Sequence, residues 1–213
     1  MYALDPALEP RPPAGAADQQ IPVVITAGFP GRNKDAWHAD WPNSATAKWL
    51  VNNNSWTDPS VPLYLSKGAY GTAATPGFST QLVDVALGSV VDLVVVNNGL
   101  GSSPEVHPLH LHGYKFWVVG FGALPYPEDA ATPARMNLDD PVLVDTFPLQ
   151  TGYYAVLRFV ASNPGVWHFH CHLLFHMMDG LQMALNVAEA HQPRPTRAWY
   201  DGQTLDQELC MRR

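Results

Sequence analysis

The chain has 213 residues, of which 46% are hydrophobic, 11% aromatic and 15% charged. These values describe a globular protein long enough to bury a core, and they exclude a disordered one. The formal net charge of −7 without any basic run argues against a nucleic-acid partner, and no apolar run approaches the roughly 20 residues needed to cross a bilayer.

The predicted elements are short strands separated by glycine, proline and asparagine turns. Residues 1–20 are rich in proline and alanine and are predicted to form an irregular lead-in or interdomain linker. Strands are predicted over 21–26, 61–65, 80–86, 90–97, 109–112, 114–120, 142–146, 153–160, 166–170 and 182–187. Helix is predicted as a turn over 173–178 and in the tail over 204–209. Strands at this density predict an all-β sandwich or barrel.

Two short segments contain six of the nine histidines and one of the two cysteines. The first reads His-Pro-Leu-His-Leu-His-Gly over 107–113, and the second reads His-Cys-His-Leu-Leu-Phe-His over 170–176. Residues two apart in a strand point to the same face, so each His-x-His pair presents two imidazoles together. Cys171 points the other way. One strand could therefore serve a thiolate site on one face and an imidazole site on the other.

These segments resemble the copper-binding motifs of the multicopper oxidases, the family of laccases, ascorbate oxidase and the iron-oxidising copper enzymes. The family pattern is His-Pro-x-His-x-His-Gly, followed by His-Cys-His, three residues, His, three residues, Gly and Leu or Met. The second segment continues to Gly180-Leu181 and matches at each fixed position. The resemblance covers essentially the whole chain. It implies the family's last domain, a cupredoxin-like Greek-key sandwich with short helical turns over 21–190, followed by a C-terminal tail over 191–213.

The resemblance assigns His107, Cys171 and His176 to a type 1 copper, with Cys171 and His176 carrying the electron from the substrate. Such a site takes two neutral imidazoles, a thiolate and a weak or absent axial ligand. Many members place an axial methionine where this chain has Leu181, which has no donor atom and implies a three-coordinate copper of higher potential. The alternative axial ligands are the nearby methionines Met177, Met178 and Met183. Core packing explains the presence of each of them better.

The other four motif histidines resemble ligands of the family's trinuclear copper cluster. His110 would bind the type 2 copper, while His112, His170 and His172 would bind the type 3 pair. The complete cluster takes eight histidines. Apart from His168, which lies two residues before His170 at a position that is variable in the family, the sequence contains no further His-x-His spacing. We therefore expect half a cluster, completed by missing N-terminal cupredoxin domains or by another chain. The remaining histidines are interpreted as surface or structural residues: His38, His168 and His191.

Location and covalent partners are suggested by weaker signals. Cys210 has no partner apart from the proposed copper ligand, and a tail cysteine bonds to the first domain in many laccases, although an incidental thiol is the alternative. Asn53-Asn54-Ser55 is a glycosylation sequon. The resemblance implies a secreted protein, yet the chain opens without a signal peptide. We therefore expect a fragment or truncated reading frame whose start lies upstream.

The sequence thus predicts the copper-binding C-terminal domain of a laccase-like multicopper oxidase. By resemblance, such an enzyme takes single electrons from phenolic or related reducing substrates at a type 1 copper and passes them to a trinuclear site that reduces O2 to water. Two alternatives remain open. One is a free-standing blue-copper electron carrier, which would not need the four cluster histidines, and the other is an inactive truncated fragment.

Overall fold

The computed structural model of the chain describes residues 11–28, 48–59, 63, 78–99, 105–129 and 132–192. Most of the predicted strand over 61–65, the predicted tail helix, His38 and Cys210 lie outside the described residues.

Strands dominate this part of the chain, with one short α-helix and two 3-10 turns. The strands are β1 (Gln19–Gly28), β2 (Lys48–Val51), β3 (Ser55–Trp56), β4 (Phe78–Ser79), β5 (Leu82–Val85), β6 (Val90–Gly99), β7 (Val106–Leu111), β8 (Phe116–Ala123), β9 (Val142–Val144), β10 (Thr146–Gln150), β11 (Tyr153–Val160), β12 (Gly165–Cys171) and β13 (Gln182–Val187). Helix α1 spans Leu174–Met178, and the 3-10 turns span Pro133–Arg135 and Glu189–His191.

The strands form two main sheets. The first has the order β2-β1-β6-β11-β8-β9 and the second has the order β10-β7-β12-β13-β5, while β3 and β4 make a small separate pair. Most neighbours are antiparallel, but β1 runs parallel to β6 and β13 parallel to β5. Each parallel pair joins strands that are not consecutive in the chain, so a crossover connects them. The two sheets form the all-β cupredoxin sandwich that the sequence predicts, and that prediction is confirmed.

The core lies between the two sheets and determines where the histidines point. On β7, Leu109 and Leu111 are fully buried, and on β12 Phe169 is buried with them. Burying such a side chain stabilises the fold by roughly 1.5–3 kcal/mol, so the register of each strand is strongly specified. Since side chains alternate, Cys171 falls on the inner face, whereas the flanking histidines fall on the outer face.

Element boundaries from the sequence are closest for the strands of the core. The predicted runs 153–160 and 182–187 coincide with β11 and β13. The predicted strand over 142–146 is wrong in detail, because the chain breaks at Asp145 and continues as β10. Pro148 disguises β10 as a turn, yet it is tolerated because β10 is an edge strand. Strands β2 to β4 were also not predicted.

A buried ion pair attaches the lead-in to the first sheet. Arg158 on β11 and Asp92 on β6 are both fully buried, and two guanidinium–carboxylate hydrogen bonds of 2.7 and 2.8 Å join them. The guanidinium also donates to the carbonyl oxygens of Pro13 and Gly15. Residues 11–18 are irregular as predicted, but they are held against the sheet. None of the helices in the described ranges is long and apolar enough to span a membrane.

Candidate metal centre

Three side chains that are far apart in sequence converge at one end of the sandwich. Cys171 Sγ lies 3.6 Å from His107 Nδ1 and 3.7 Å from His176 Nδ1, and the two imidazole nitrogens are 3.1 Å apart. His107 belongs to β7, Cys171 ends β12, and His176 lies on α1, which carries the chain back to the same point. Among the described residues, this trio is the only group of three His, Cys, Asp or Glu side chains whose ligand atoms all lie within 4.8 Å of one another.

Burial controls the protonation of this trio. His107 and Cys171 are fully buried, whereas His176 is half-buried. Desolvation, followed by the nearby charge of His176, lowers the pKa of His107 to about 4. Desolvation raises the pKa of the Cys171 thiol to about 11. At neutral pH and without a bound metal, His107 is therefore a neutral imidazole beside the protonated Cys171 thiol.

The backbone around the trio is fixed by hydrogen bonds. The Cys171 amide donates to the Leu181 carbonyl at 3.1 Å, and the Leu181 amide donates to the His176 carbonyl at 3.0 Å. Leu181 is 1% exposed and belongs to the core. Residue 181 is therefore tied by its main chain to two members of the trio.

The neighbouring methionines divide between core and surface. Met183 is fully buried in the core, as expected, but Met178 is 63% exposed. The expectation of core packing is therefore wrong for Met178, because α1 has no buried residue at all.

The four other motif histidines gather on the outer face of the second sheet. His112 Nε2 and His170 Nε2 lie 3.0 Å apart, and the ring centroids of His110 and His172 are 5.5 Å apart. His112 and His172 are exposed, whereas His170 is buried. We call these four residues the outer histidine cluster.

Two members of this cluster are oriented by contacts between Nδ1 and neighbouring oxygen atoms. Nδ1 of His110 lies 2.8 Å from the Asp145 carbonyl and 2.9 Å from Thr146 Oγ1. Nδ1 of His170 lies 2.9 Å from the Cys171 carbonyl. Such contacts fix the ring orientation and direct Nε2 of each ring towards the other members of the cluster as the candidate ligand atom. No role was predicted for Asp145. Its contact with His110 is made by the main-chain carbonyl, which any residue at this position could supply.

Two further residues lie near these sites: His168, interpreted from the sequence as a surface or structural residue, and Trp49, which was not singled out. His168 is half-buried, with its ring centroid 5.9 Å from that of His112 and 6.3 Å from that of His170, and a cavity of about 370 Å³ borders it. Its spacing along β12 was a usable signal, since it shares parity with His170. Trp49 on β2 packs against both imidazoles of the trio. No motif marks Trp49.

The trio fits a type 1 copper in both chemistry and spacing. Two neutral imidazoles and one thiolate are the donor set of blue-copper sites. Ligand atoms about 2.0–2.3 Å from one trigonal metal ion lie roughly 3.5–4 Å apart. The two sulfur–nitrogen separations of 3.6 and 3.7 Å fall in this range, and the nitrogen–nitrogen separation of 3.1 Å is somewhat shorter. Binding of both imidazole nitrogens to one ion would also explain why they face each other at 3.1 Å.

Comparison with known proteins places these residues in a family. The multicopper oxidase family profile matches residues 39–191. Laccase-9 of Arabidopsis thaliana is 41% identical over 123 residues, or 57% of this chain and 20% of that protein. Laccase-2 of Oryza sativa subsp. japonica is 37% identical over 171 residues, or 80% of this chain and 27% of that protein. The chain thus spans less than a third of the length of either relative.

Solved structures agree at the level of fold. The laccase from Botrytis aclada superimposes with a TM-score of 0.66 at 22% identity, covering 85% of this chain and 30% of that chain. At this identity the similarity shows the fold alone. Since the family profile covers well over half of the sequence, including both histidine segments, the chain belongs to the multicopper oxidase family.

Proposed function

We propose that the chain is the C-terminal copper-binding domain of a laccase-like oxidase. In this proposal it takes single electrons from a phenolic or related reductant and delivers them to a site where O2 is reduced to water. Copper would supply the one-electron chemistry, with His107, Cys171 and His176 holding the type 1 ion. The observation that carries the proposal is the convergence of these three donors within 3.7 Å.

The protonation states of His107 and Cys171 determine how the trio can bind a cation. His107 is neutral above about pH 5 because its pKa is about 4, so its nitrogen is available as a ligand. The Cys171 thiol, with a pKa of about 11, must give up its proton when it becomes a ligand. His176 is half-buried and lies beside the exposed Phe175. We therefore propose that the reductant passes its electron to the type 1 site through His176.

The outer histidine cluster is the proposed destination of the electron. Cys171 is covalently bonded to His170 and His172, so the two faces of β12 are joined through single peptide units. The contact between His170 Nδ1 and the Cys171 carbonyl, at 2.9 Å, adds a second short connection. We assign His110 to a type 2 copper and His112, His170 and His172 to a type 3 pair. Short, rigid paths of this kind support electron transfer between the two sites.

Half of the trinuclear ligands must then come from outside this chain. In the described residues the outer histidine cluster contains no three ligand atoms within 4.8 Å. We propose that N-terminal cupredoxin domains, or a separate chain carrying His-x-His pairs, supply the opposing four imidazoles. Cys210 is proposed to form a disulfide with the same partner. An extracellular location is proposed from the family resemblance.

A free-standing electron carrier is the second candidate. It is favoured by the contrast between the assembled trio and the unassembled outer histidine cluster. The two candidates differ in copper content when a partner carrying the missing histidine pairs is added. A carrier would stay at one tightly bound copper, whereas the oxidase domain would gain the trinuclear ions.

The direct experiment is copper loading of the purified chain. We expect one tightly bound Cu(II) with an intense visible thiolate-to-copper charge-transfer band, and bleaching of that band by a reducing phenol. A chain that binds Cu(II) under oxidising conditions but stays colourless would overturn the type 1 assignment.

A further inference from the structure

A small hairpin from the N-terminal part of the fold makes hydrogen bonds and an ion pair with the loop that follows His176. Residues 48–56 form this unit, which we call the clamp hairpin: β2, a two-residue turn at Asn52 and Asn53, and β3. Both turn residues have positive φ, 50° and 68°, as a type I′ turn requires. The Asn52 side chain anchors the hairpin to β1, since it bonds to the Val24 amide and the Pro22 carbonyl.

The contacts between the clamp hairpin and the loop are mostly made to the loop's main chain. The Trp49 amide donates to the Asp179 carbonyl at 3.0 Å, and the Trp56 amide donates to the Gly180 carbonyl at 3.1 Å. The Ser55 hydroxyl adds a bond to the Asp179 carbonyl at 3.3 Å. The Lys48 ammonium pairs with the Asp179 carboxylate. Together these contacts fix the path of the chain between His176 and Leu181.

The approach is close enough to require glycine. Gly180 has a φ of +105°, and a Cβ there would lie 1.9 Å from Ser55 Oγ and 2.9 Å from the Trp49 carbonyl oxygen. Any larger residue would push the loop away from the clamp hairpin. The glycine that the family motif places here therefore has a local packing reason in this chain.

The indole of Trp49 sits against both imidazoles of the trio. Its ring centroid is 4.4 Å from that of His107, edge to face, and 5.0 Å from that of His176. The two imidazole centroids are 4.9 Å apart, so the three rings form one packed group. Trp49 is only 8% exposed. It therefore covers one side of the donor set with a rigid apolar surface.

We infer that Trp49, held in place by the clamp hairpin, is a positioning residue for the type 1 site. Its indole fixes the orientation of the His107 and His176 rings and keeps water from their ligand atoms. Outer residues that orient ligands and exclude solvent tune both the affinity and the potential of a metal site. The inference rests on the proposed function, because it takes the trio to be the copper site.

The test replaces Trp49 and a matched control in the full chain. Trp49→Leu should weaken copper binding by about 10- to 100-fold, the usual range for losing a residue that orients ligands. It should also weaken the visible band and change the copper hyperfine coupling in the electron paramagnetic resonance spectrum. Trp117→Leu is the control, because Trp117 is also 8% exposed but packs in a separate core cluster. It should lose stability yet keep the wild-type spectrum and affinity.

Two further measurements guard against misfolding of the leucine variant. Trp49→Phe keeps an aromatic ring and should give an intermediate affinity and spectrum. Copper bound at the trio should also quench the emission of Trp49, so the copper-dependent loss of fluorescence should be smaller in Trp49→Phe than in Trp117→Phe.

Two different outcomes would contradict the inference about Trp49 and the proposed function. If the wild type is blue and the Trp49 variants match their Trp117 counterparts in affinity, spectrum and quenching, the inference about Trp49 is wrong. If the wild type binds copper without a visible thiolate band, the proposed function is wrong, whichever tryptophan variant is measured.

Discussion

The two faces of β12 differ in how far their ligands are already assembled. On the inner face, Cys171 meets His107 and His176 at distances of 3.1 to 3.7 Å among the three ligand atoms. On the outer face, the outer histidine cluster contains no group of three ligand atoms within 4.8 Å, as far as the described residues go. Two of its members, His112 and His172, are exposed.

The difference follows from what covers each face. The inner ligands are packed by the core of the same domain, so the free energy that folds the sandwich also holds the donors together. The outer ligands lie on the outer face of a sheet, where His112 and His172 are exposed. A metal site enclosed by its own domain can be preformed, whereas a site shared between two surfaces also needs the ligands of the second surface.

The largest effect that tests this contrast is removal of the thiolate. Cys171→Ser should abolish the blue colour, because a serine hydroxyl cannot replace the soft thiolate of a type 1 site. The absorption spectrum of the copper-loaded variant measures this directly. Its circular dichroism should stay that of a folded β protein. A variant that keeps the visible band would show that the colour comes from another site.

The second effect is the absence of turnover. The chain alone should not reduce O2 in a sustained way, since the outer histidine cluster supplies only half of the proposed trinuclear ligands. The type 1 band should bleach with one equivalent of electrons and recolour slowly in air. Oxygen consumption and metal analysis measure this. Steady laccase activity from the monomer, with about four coppers bound, would contradict it, whereas rescue by a protein carrying the missing histidine pairs would support it.

The same contrast explains what the sequence could and could not predict. The spacing of two residues between histidines, with Cys171 at opposite parity, predicts two sites on one strand, because alternation along a strand is a local rule. Convergence of His107 with Cys171 is a long-range event, and only the family resemblance made it foreseeable. Trp49 carried no signal, since its contact with the trio depends on the clamp hairpin reaching across to the second sheet. Strand β10 was hidden by Pro148, whose tolerance depends on its edge position.

The third effect is a pH dependence of copper loading. The Cys171 thiol has a pKa of about 11, so at pH 6 to 8 a cation must displace its proton. Apparent affinity should therefore rise by about tenfold per pH unit from this group. His107, with a pKa of about 4, should add nothing in that window because it is already neutral. Competition titrations with a chelator of known affinity measure the slope. A flat profile would show that the thiolate is not a ligand.

A smaller effect is expected at the axial position. Leu181→Met should offer a weak thioether ligand, stabilise Cu(II) relative to Cu(I) and lower the reduction potential while keeping the blue colour. A change of about tenfold in the ratio of the two states corresponds to about 59 mV for a one-electron couple. Redox titration against the wild type measures the shift, and Leu181→Ile is a control without a donor atom. An unchanged or raised potential would mean that residue 181 does not face the copper.

The smallest effect is expected on the outer face itself. His172 is exposed, and its ring packs against two other members of the outer histidine cluster, His110 at 5.5 Å and His170 at 5.7 Å between centroids. His172→Ala should change the free energy of unfolding by no more than about 0.5 kcal/mol, as for surface residues without a structural role. It should also leave the type 1 spectrum and potential unchanged in the isolated chain, although Cys171 is the adjacent residue. Urea denaturation and the visible spectrum measure the two quantities. A substantial loss of blue colour would show that a change on the outer face of β12 affects the type 1 site even in the isolated chain.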